Sequence, residues 1–369
     1  MTHEPFEIFL ATYPGLEDML LKEAETLRFS NPQKTPGGVV FRGLWPDVWR
    51  ANLQVRGASR VLARIAEFRA MHPAQLDKRA RKVEWDAVLR PDMPVRVEAT
   101  CKQSRIYHAG AARERVERAI TETIGAPVTK DAATTVRVRI EDDLCTISVD
   151  TSGALLHQRG HKQAVNKAPL RETLAALLLS KCGFDGNEPV VDPMCGSGTF
   201  VLEAAEIHAG LNPGRSRQFA FETFASFEAE QWVTLRSPQA AQGTNQFFGY
   251  DRDQGAIAMC EQNADRASVS DLTQFKQQAV NMLEPPCDTP GLVMVNPPYG
   301  ARIGNKKMLY GLYASLGERL KSSFAGWRVG MITTEKGLAR ATGLPFADES
   351  APIPNGGLKI RLYQSKTLK

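Results

Sequence analysis

The sequence predicts an α/β protein in which two small α+β units precede a larger, doubly wound and mostly parallel sheet. Three observations support this fold class. The 369 residues are 43% hydrophobic and 24% charged, which are values of folded globular proteins. Short strands and helices group into two sets within the first 150 residues. From about residue 170 onward strands alternate with helices, as they do in a parallel sheet that helices cover on both faces.

The leading half contains the two small units. Strands and helices are predicted in the first from their apolar periodicity, in the order strand 6–10, helix 14–27, strand 39–41, helix 46–53 and strand 59–68. The second is predicted to contain strand 95–99, helix 109–123 and strands 135–140 and 145–150. The acidic turn Glu141-Asp142-Asp143 joins the last two strands. We therefore expect three domains, at 1–68, 69–157 and 158–369.

The trailing half supplies the alternating pattern of the parallel sheet. Its predicted elements are helix 170–181, strand 190–192, helix 199–208, strand 247–251, helix 255–267, strand 292–295, helix 310–324 and strand 328–333. Because ligands bind beyond the carboxyl ends of the strands in such sheets, residues that directly follow a strand are the first candidates for a site.

Composition argues against several classes of protein. No apolar run reaches the roughly 18 residues that span a bilayer, and no basic region precedes an apolar stretch at the start, so we expect a cytoplasmic protein without a membrane partner. The six cysteines form no C-x-x-C pair, so we expect neither a disulfide framework nor a metal site. Residues 56–118 carry fifteen Lys and Arg against eight Asp and Glu, which fits a phosphate-binding face or a solvated surface.

The first candidate site is the turn after strand 190–192, which reads Asp192-Pro193-Met194-Cys195-Gly196-Ser197-Gly198-Thr199. Glycines allow a backbone to approach a ligand closely, and the following helix N-terminus offers free N–H groups. The loop matches neither G-x-G-x-x-G nor the phosphate-binding P-loop. It is therefore either a cofactor loop of another type or an ordinary strand-to-helix turn.

A second candidate is Asp251, which ends strand 247–251. A carboxylate at this position of a nucleotide-binding sheet can accept hydrogen bonds from both hydroxyls of a ribose. The alternative is a solvated loop acid. Because Asp251 comes after the glycine-containing loop in the chain, the ribose interpretation is favoured.

The most informative feature is Asn296-Pro297-Pro298-Tyr299, which follows the apolar strand 292–295. An exocyclic amine on a base is a poor nucleophile, because its lone pair is delocalised into the ring. Two acceptors, the Asn296 side-chain oxygen and the Pro297 carbonyl, can hold its hydrogens, and the prolines pre-position them. Tyr299 can stack on a base taken out of its stack. A plain proline turn is the alternative.

These motifs together resemble the class I S-adenosylmethionine-dependent methyltransferases that act on amino groups. More narrowly, the chain resembles the THUMP-domain RNA guanine-N2 methyltransferases of the bacterial large-subunit ribosomal RNA group. Further matching stretches are spread over nearly the whole chain, at 11–17, 51–62, 148–153, 156–160, 168–175 and 355–363. The resemblance implies a ferredoxin-like domain, an RNA-binding THUMP domain and a Rossmann-like catalytic domain, in that order.

The resemblance also implies roles for individual residues. The cofactor S-adenosylmethionine would be bound by Pro169, Glu172, Asp192, Cys195, Gly196, Gly198, Thr199, Asp251, Asn281 and Asn296. The target amine would be bound by Asn296, Pro297, Pro298 and Tyr299. We expect the Cys195 thiol itself to pack, since methyl transfer needs no thiol. The family usually has an acid after its third strand, near the adenine, where this chain offers either Asn281 or a backbone group instead.

The expected function is therefore transfer of a methyl group from S-adenosylmethionine to guanine N2, with 23S ribosomal RNA as the substrate. Transfer RNA is the alternative substrate of the same chemistry. DNA adenine-N6 and protein glutamine-N5 methyltransferases share the Asn-Pro-Pro-Tyr loop, and the leading 150 residues argue against both. A binding protein of another class, an RNA-binding assembly factor with an inactive methyltransferase fold, is the remaining alternative.

Overall fold

The structure, a computed structural model, describes residues 4–164, 170–237, 246–299 and 306–369. Within them the helices are α1 (Glu17–Thr26), α2 (Trp45–Gln54), α3 (Pro73–Ala80), α4 (Ala109–Ile124), α5 (Glu172–Lys181), α6 (Thr199–His208), α7 (Ala229–Leu235), α8 (Gln254–Ala267), α9 (Lys306–Ser323) and α10 (Lys336–Ala341). The strands are β1 (Phe6–Ala11), β2 (Gln33–Thr35), β3 (Gly38–Gly43), β4 (Arg60–Arg69), β5 (Val95–Lys102), β6 (Thr134–Glu141), β7 (Leu144–Asp150), β8 (Val190–Asp192), β9 (Phe247–Asp251), β10 (Thr273–Gln277), β11 (Leu292–Val295), β12 (Arg328–Thr333), β13 (Phe346–Glu349), β14 (Ile353–Asn355) and β15 (Leu358–Ser365).

The chain divides into two compact units. The first comprises Met1–Thr12, Leu20–Leu156 and Arg217–Ser237, and the second comprises the remaining residues. The first is built on one seven-stranded sheet of order β2-β3-β1-β4-β7-β6-β5. Strand β4 pairs antiparallel with β1 on one side and with β7 on the other. Residues 1–68 and 69–157 thus share one sheet, and the boundaries expected at 68 and 157 remain predictions.

The hairpin of β6 and β7 confirms the acidic turn expected there. Glu141 pairs with Leu144, so Asp142 and Asp143 are the two turn residues, with φ of 51° and 61°. Two successive positive φ values are typical of a type I′ turn, whose twist matches that of the flanking strands. Asp tolerates this left-handed conformation better than most residues, which explains the acidic sequence of the turn.

Two of the stretches that resemble the family, 51–62 and 148–153, contact each other through buried polar groups in the first unit. Asn52 on α2 donates from Nδ2 to Thr151 Oγ1 at 2.8 Å, and its Oδ1 accepts from Ser152 Oγ at 2.7 Å. Thr151 Oγ1 in turn donates to the Val61 carbonyl at 2.8 Å. All four residues are nearly inaccessible to solvent. Since buried polar groups need matched partners, these side chains join α2, β4 and the end of β7 specifically.

Segment Arg217–Ser237 belongs to the first unit although it follows α6 in the chain. The Arg217 guanidinium donates to the carbonyls of Ser152, Ala154 and Leu155, at 3.1, 2.7 and 2.8 Å. The ring of Phe221 stacks on that of Trp49, with centroids 6.2 Å apart. Contacts distant in sequence hold this segment, and local sequence patterns carry no signal for them.

The second unit confirms the predicted doubly wound, mostly parallel sheet. The strand order is β10-β9-β8-β11-β12-β15-β13, and β14 pairs with β15. Neighbouring strands from β10 to β12 are parallel, whereas β15 runs antiparallel to β12 and to β13. Helices α6 and α8 contact β9, and α9 adds Tyr313 and Leu316 to a core with Val191 and Val293. In the part of the chain that the structure describes, no helix has the length and apolar character that crossing a membrane requires.

Candidate cofactor and active site

The glycine-containing loop joins β8 to α6 at the carboxyl edge of the sheet. Gly196 and Gly198 have φ of 55° and 82°, and Gly198 is the N-cap of α6. A Cβ at Gly198 would lie 3.2 Å from Cys260 Sγ on α8, whereas a Cβ at Gly196 would meet no heavy atom within 4 Å. Gly198 thus allows α6 and α8 to pack closely. Gly196 leaves open space beside the loop, as a bound ligand requires.

Asp251, at the end of β9, supports this loop. Its Oδ2 accepts a hydrogen bond from the Gly196 N–H at 3.0 Å, and its Oδ1 accepts one from Asp253 N–H at 3.0 Å. The side chain is half-buried. Since each carboxylate oxygen can accept a further bond, Asp251 keeps acceptors for the two hydroxyls of a ribose. The contact between Asp251 and a ribose remains a prediction. The position of Asp251 at the end of β9 agrees with that prediction.

Asp192 ends β8 and is only 2% exposed. Burial raises the pKa of its carboxyl to about 8, the hydrogen bond from Met194 N–H opposes this rise, and the charge of Asp251 adds to it. A carboxyl with such a pKa is mostly protonated at neutral pH, and an approaching positive charge stabilises its ionised form. Asp192 is therefore suited to a cationic ligand.

A cavity of about 590 Å³ lies beside the ends of β9 and β10. Its lining includes Tyr250, Gln278, Ala279 and Met282. Gln278 is held in place, because its backbone N–H donates to the Asp251 carbonyl at 2.8 Å and its side chain donates to the Met282 carbonyl at 2.6 Å. Asn281 is exposed on the short turn between Gln278 and Met282, and its contact with the adenine remains a prediction.

The loop Asn296 to Tyr299 begins where β11 ends. Asn296 Oδ1 is buried and has no hydrogen-bond partner among the described residues. A buried acceptor without a partner costs about 1–3 kcal/mol, so a bound group that donates a hydrogen bond to this oxygen would gain stability there. Burial raises the pKa of the half-buried Tyr299, and a hydrogen bond with Asn355 opposes that rise. The loop therefore offers the acceptor that the sequence predicts, beside an aromatic ring.

Tyr313 on α9 contacts this loop through its hydroxyl. It is completely buried, and its hydroxyl lies 3.3 Å from the Pro298 carbonyl and 3.3 Å from Thr333 Oγ1. Burial raises the pKa of Tyr313, so its hydroxyl keeps its proton and can donate to Pro298. The contact between Tyr313 and Pro298 spans 15 residues, and a tyrosine within a predicted helix gives no local signal for it.

A second residue that the sequence analysis missed is Lys162. Its Nζ lies 3.0 Å from Glu172 Oε1, 2.9 Å from the Leu170 carbonyl and 3.0 Å from Thr199 Oγ1. Glu172 begins α5 and Thr199 begins α6, so one ammonium connects the starts of both helices. Lys162 thereby brings two of the predicted cofactor residues together.

Behind these residues lies a buried charged cluster. Arg159 donates from Nη1 to Glu203 Oε2, and to Glu206 Oε2 at 3.1 Å, and its side chain is 1% exposed. His161 and Arg215 also pair with Glu206, at 3.1 and 2.6 Å. The cluster joins the segment after residue 156 to the helix that follows the glycine loop.

Removing Arg159 should strongly destabilise the second unit. Arg159→Met removes a positive charge that pairs with the buried carboxylates of Glu203 and Glu206. Breaking a buried ion pair of this kind costs about 3–5 kcal/mol of unfolding free energy. Urea unfolding at pH 7 measures the change. The control Lys336→Met breaks an exposed pair with Glu349 in the same unit and should leave the midpoint unchanged. A wild-type midpoint for Arg159→Met would contradict this prediction.

The remaining predicted site residues have these positions. Cys195 is buried, with its Sγ 3.7 Å from Cys260 Sγ, and its hydrogen bond with Cys260 and burial raise the pKa of its thiol, so it packs as a neutral group. Pro169 lies outside the described residues, and Pro297 is buried. All six cysteines are free. The described residues contain no group of three or more His, Cys, Asp or Glu suited to a metal ion.

Comparison with known families assigns most of the second unit. Residues 159–364, more than half of the chain, match the family described as RMKL-like, methyltransferase domain. The chain belongs to this methyltransferase family. Residues 7–62 also match the RlmL ferredoxin-like domain, as the resemblance implied. The THUMP-class assignment and the Rossmann-like fold class agree with both matches.

Relatives of this methyltransferase chain have names that refer to RNA. The ribosomal RNA large subunit methyltransferase K/L of Vibrio campbellii is 32% identical, over 94% of the chain and 51% of the relative. The protein of that name from Syntrophotalea carbinolica is 34% identical, over 97% and 53%. The chain spans about half the length of these relatives. A Synechocystis protein, whose name provisionally classes it as an RNA methyltransferase, is 30% identical over 96% of the chain and 95% of its own length.

Solved structures share the fold of the methyltransferase over its whole length. One from Listeria monocytogenes, described as a predicted N6-adenine-specific DNA methylase, has a TM-score of 0.87 at 28% identity. It covers 99% of this chain and 97% of its own. A possible methylase from Clostridium difficile has a TM-score of 0.89 at 26% identity, with 99% of both chains covered.

Proposed function

We propose that the chain transfers a methyl group from S-adenosylmethionine to the exocyclic N2 of a guanine in RNA, with 23S ribosomal RNA as the substrate. The observation that carries this proposal is the buried Asn296 Oδ1 at the end of β11, which has no hydrogen-bond partner among the residues that the structure describes. An amine N–H supplies the donor that this oxygen lacks. The neighbouring strand β8 leads into the glycine-containing loop, so acceptor and cofactor sites would be adjacent.

The strand order supports this choice of cofactor. Along the carboxyl edge the chain offers the cavity beside β10, Asp251 on β9, the glycine loop after β8 and Asn296 after β11. Neighbouring strands lie about 4.8 Å apart, so these four positions together cover a distance comparable to the length of the cofactor. In this order the residues suit the adenine, the ribose, the methionine part and the target amine.

The residues around the loop explain how the reaction would proceed. When bound, the cofactor supplies an electrophilic methyl group on a sulfonium. Asn296 Oδ1 would accept one amine hydrogen and hold the nitrogen in line with that methyl group. Tyr299 would stack on the guanine. The amine nitrogen would bond to the methyl carbon as the carbon–sulfur bond breaks, and the sulfur would leave as a neutral thioether. The methylated nitrogen, acidic because of its positive charge, would then release one proton to solvent water, so Asn296 need not act as a base.

The RNA substrate rests on the leading unit and on the relatives. The first unit contains most of the stretch that matches the RlmL ferredoxin-like domain, and residues 56–118 of that unit carry the excess of Lys and Arg. Cations at this density favour binding to phosphates. The K/L relatives have large-subunit ribosomal RNA in their name.

A comparison of methyl acceptors tests the proposed substrate class. Labelled S-adenosylmethionine is supplied with total RNA, with DNA and with total protein from a strain that lacks the gene. Label in RNA alone supports the proposal, and fractionation by size separates ribosomal from transfer RNA. Label in DNA would favour the adenine-N6 activity in the description of the Listeria structure. Binding of RNA without label or cofactor binding would indicate an inactive assembly factor.

Tyr313→Phe should slow methyl transfer without weakening cofactor binding. The variant removes the donor to the Pro298 carbonyl and leaves the ring in the core. A neutral hydrogen bond contributes about 1 kcal/mol, which corresponds to a roughly 5- to 10-fold lower kcat. Steady-state kinetics and calorimetry with S-adenosylhomocysteine measure the two effects. Equal kcat for wild type and variant would show that Tyr313 does not position the loop.

A further inference from the structure

The β14–β15 hairpin lies at the carboxyl edge of the sheet and contacts the loop from Asn296 to Tyr299. We propose that this hairpin forms the outer wall of the target-base site. Asn355 would position the Tyr299 ring, and Leu358 would pack against the target nucleotide. The inference rests on the proposed function, because it concerns how the same site holds the guanine.

The hairpin extends past the end of the sheet. Strand β15 runs antiparallel to β12, and the pair at the carboxyl end of β12 joins Thr333 to Arg361. Leu358 precedes Arg361 in β15, so it lies about 10 Å beyond the end of β12. Strand β11 is the other neighbour of β12, and the active-site loop begins where β11 ends. The hairpin and the loop therefore project from the two strands on either side of β12.

A hydrogen bond between the side chains of Asn355 and Tyr299 connects the hairpin to the loop. The Tyr299 ring also packs against the buried core that contains Tyr313. The hairpin thus holds the hydroxyl and the core holds the ring, so the orientation of the ring is set before a base arrives. A pre-oriented ring loses less freedom when it stacks, and it holds the reacting amine more precisely.

One face of the hairpin is directed towards the core and the loop. Ile353 pairs with Ile360, and this pair is buried, with exposed fractions of 1% and 0%. Asn355 pairs with Leu358, two residues further along each strand. Paired residues share a face, and so do residues two apart in a strand. Leu358 therefore lies on the face whose Asn355 contacts the Tyr299 side chain.

Leu358 remains 45% exposed on this inner face. A single exposed leucine is common, but this one lies beside the ring that would stack on the base. Its backbone position is well defined, because Gly356 and Gly357 have φ of 56° and 84°, as in a type I′ turn. An unstacked base presents apolar surface, and contact with Leu358 would remove that surface from water. The side chain is therefore suited to the target nucleotide.

A double-mutant cycle tests the role of Asn355. Asn355→Ala removes the hydrogen bond from the hairpin side, and Tyr299→Phe removes it from the loop side and keeps the ring. With labelled S-adenosylmethionine and total RNA from a strain that lacks the gene, each should lower kcat about 3- to 10-fold, as for one lost neutral hydrogen bond. The double variant should be as slow as either single variant within about twofold, because both substitutions remove the same contact.

Substitutions of Leu358 test the apolar contact. Leu358→Ser should lower kcat/KM for the same RNA about 5- to 20-fold, whereas Leu358→Met keeps the apolar volume and should stay within about twofold of wild type. The Kd of S-adenosylhomocysteine should be unchanged in both. Pro354→Ala, on the opposite, exposed face of the hairpin, is the matched control and should retain the wild-type kcat/KM.

The failure of this inference differs from the failure of the proposed function. If wild type methylates RNA and either Asn355→Ala or Leu358→Ser retains the wild-type kcat/KM, the hairpin does not form the wall. Effects of Asn355→Ala and Tyr299→Phe that multiply would overturn it as well. If Asn355→Ala does not fold, as its melting curve would show, Tyr299→Phe and Leu358→Ser still decide. If wild type binds S-adenosylhomocysteine and methylates no RNA, the proposed function is wrong, and this inference is overturned with it.

Discussion

Replacing Asn296 by alanine is expected to lower kcat about 100- to 1000-fold, the effect of removing one pre-positioned polar group from an active site. The reason is that the buried Oδ1 is the proposed acceptor for an amine hydrogen and has no hydrogen-bond partner among the described residues. The Kd of S-adenosylhomocysteine should change less than about threefold, because the main predicted cofactor contacts lie on β8 and β9.

Single-turnover methylation and calorimetry separate these two quantities. Asn187→Ala, an exposed asparagine of the same unit, is the matched control and should retain the wild-type kcat. An Asn296→Ala variant with wild-type kcat would show that this side chain does not hold the amine. A variant that loses cofactor binding in proportion to kcat would place Asn296 in the cofactor site alone.

Cofactor affinity is expected to increase steeply between pH 6 and pH 8. The pKa of Asp192 is about 8 because of its burial, so its carboxyl is protonated in most molecules between pH 6 and pH 8. It must lose this proton before it can face the positive sulfonium and ammonium groups as a carboxylate. Proton linkage then predicts a Kd that falls by roughly 10- to 50-fold from pH 6 to pH 8. Calorimetry in buffers of different ionisation enthalpy would also detect release of this proton.

Asp192→Asn is the control for this pH dependence, because it keeps the shape of the side chain and cannot ionise. Its Kd should be nearly independent of pH over the same range. The folded pKa exceeds the ordinary value of 3.8, so the folded chain holds this proton more tightly than the unfolded chain. The Asp192 contribution to stability is therefore expected to decline as pH rises from about 4 to about 8. A wild-type Kd without pH dependence would contradict the proposed role of Asp192.

The sequence predicted the elements whose pattern is local. Strands β8, β9 and β11 are short and largely apolar; Asp192 and Asp251 are the last residues of the first two, and Asn296 directly follows the third. The parallel arrangement follows from their alternation with helices. The sequence alone therefore predicts a site at the carboxyl edge of the sheet.

Other elements have no such local pattern. Strand β10 reads Thr-Gln-Phe-Lys-Gln with a largely exposed burial pattern, and β2 and β14 have only three residues each. Helices α3 and α7 are also short. Strands of this kind depend on pairing with neighbours, for example β10 on β9, rather than on their own apolar alternation.

The site residues that the sequence analysis missed act through tertiary contacts. Tyr313 reaches Pro298 from a helix, and Lys162 reaches Glu172 and Thr199 across the starts of two helices. An isolated Lys or Tyr gives no indication of its partners in a single sequence. Their roles follow only from distances and burial.

The identity of the methylated nucleoside tests the central claim most directly. Ribosomal RNA from a strain that lacks the gene is incubated with the protein and labelled S-adenosylmethionine, digested to nucleosides and separated by chromatography with mass spectrometry. We expect label in N2-methylguanosine from large-subunit ribosomal RNA, and its loss with Asn296→Ala. Label in another nucleoside, or ribosomal RNA that stays unlabelled although the protein binds the cofactor, would contradict the account.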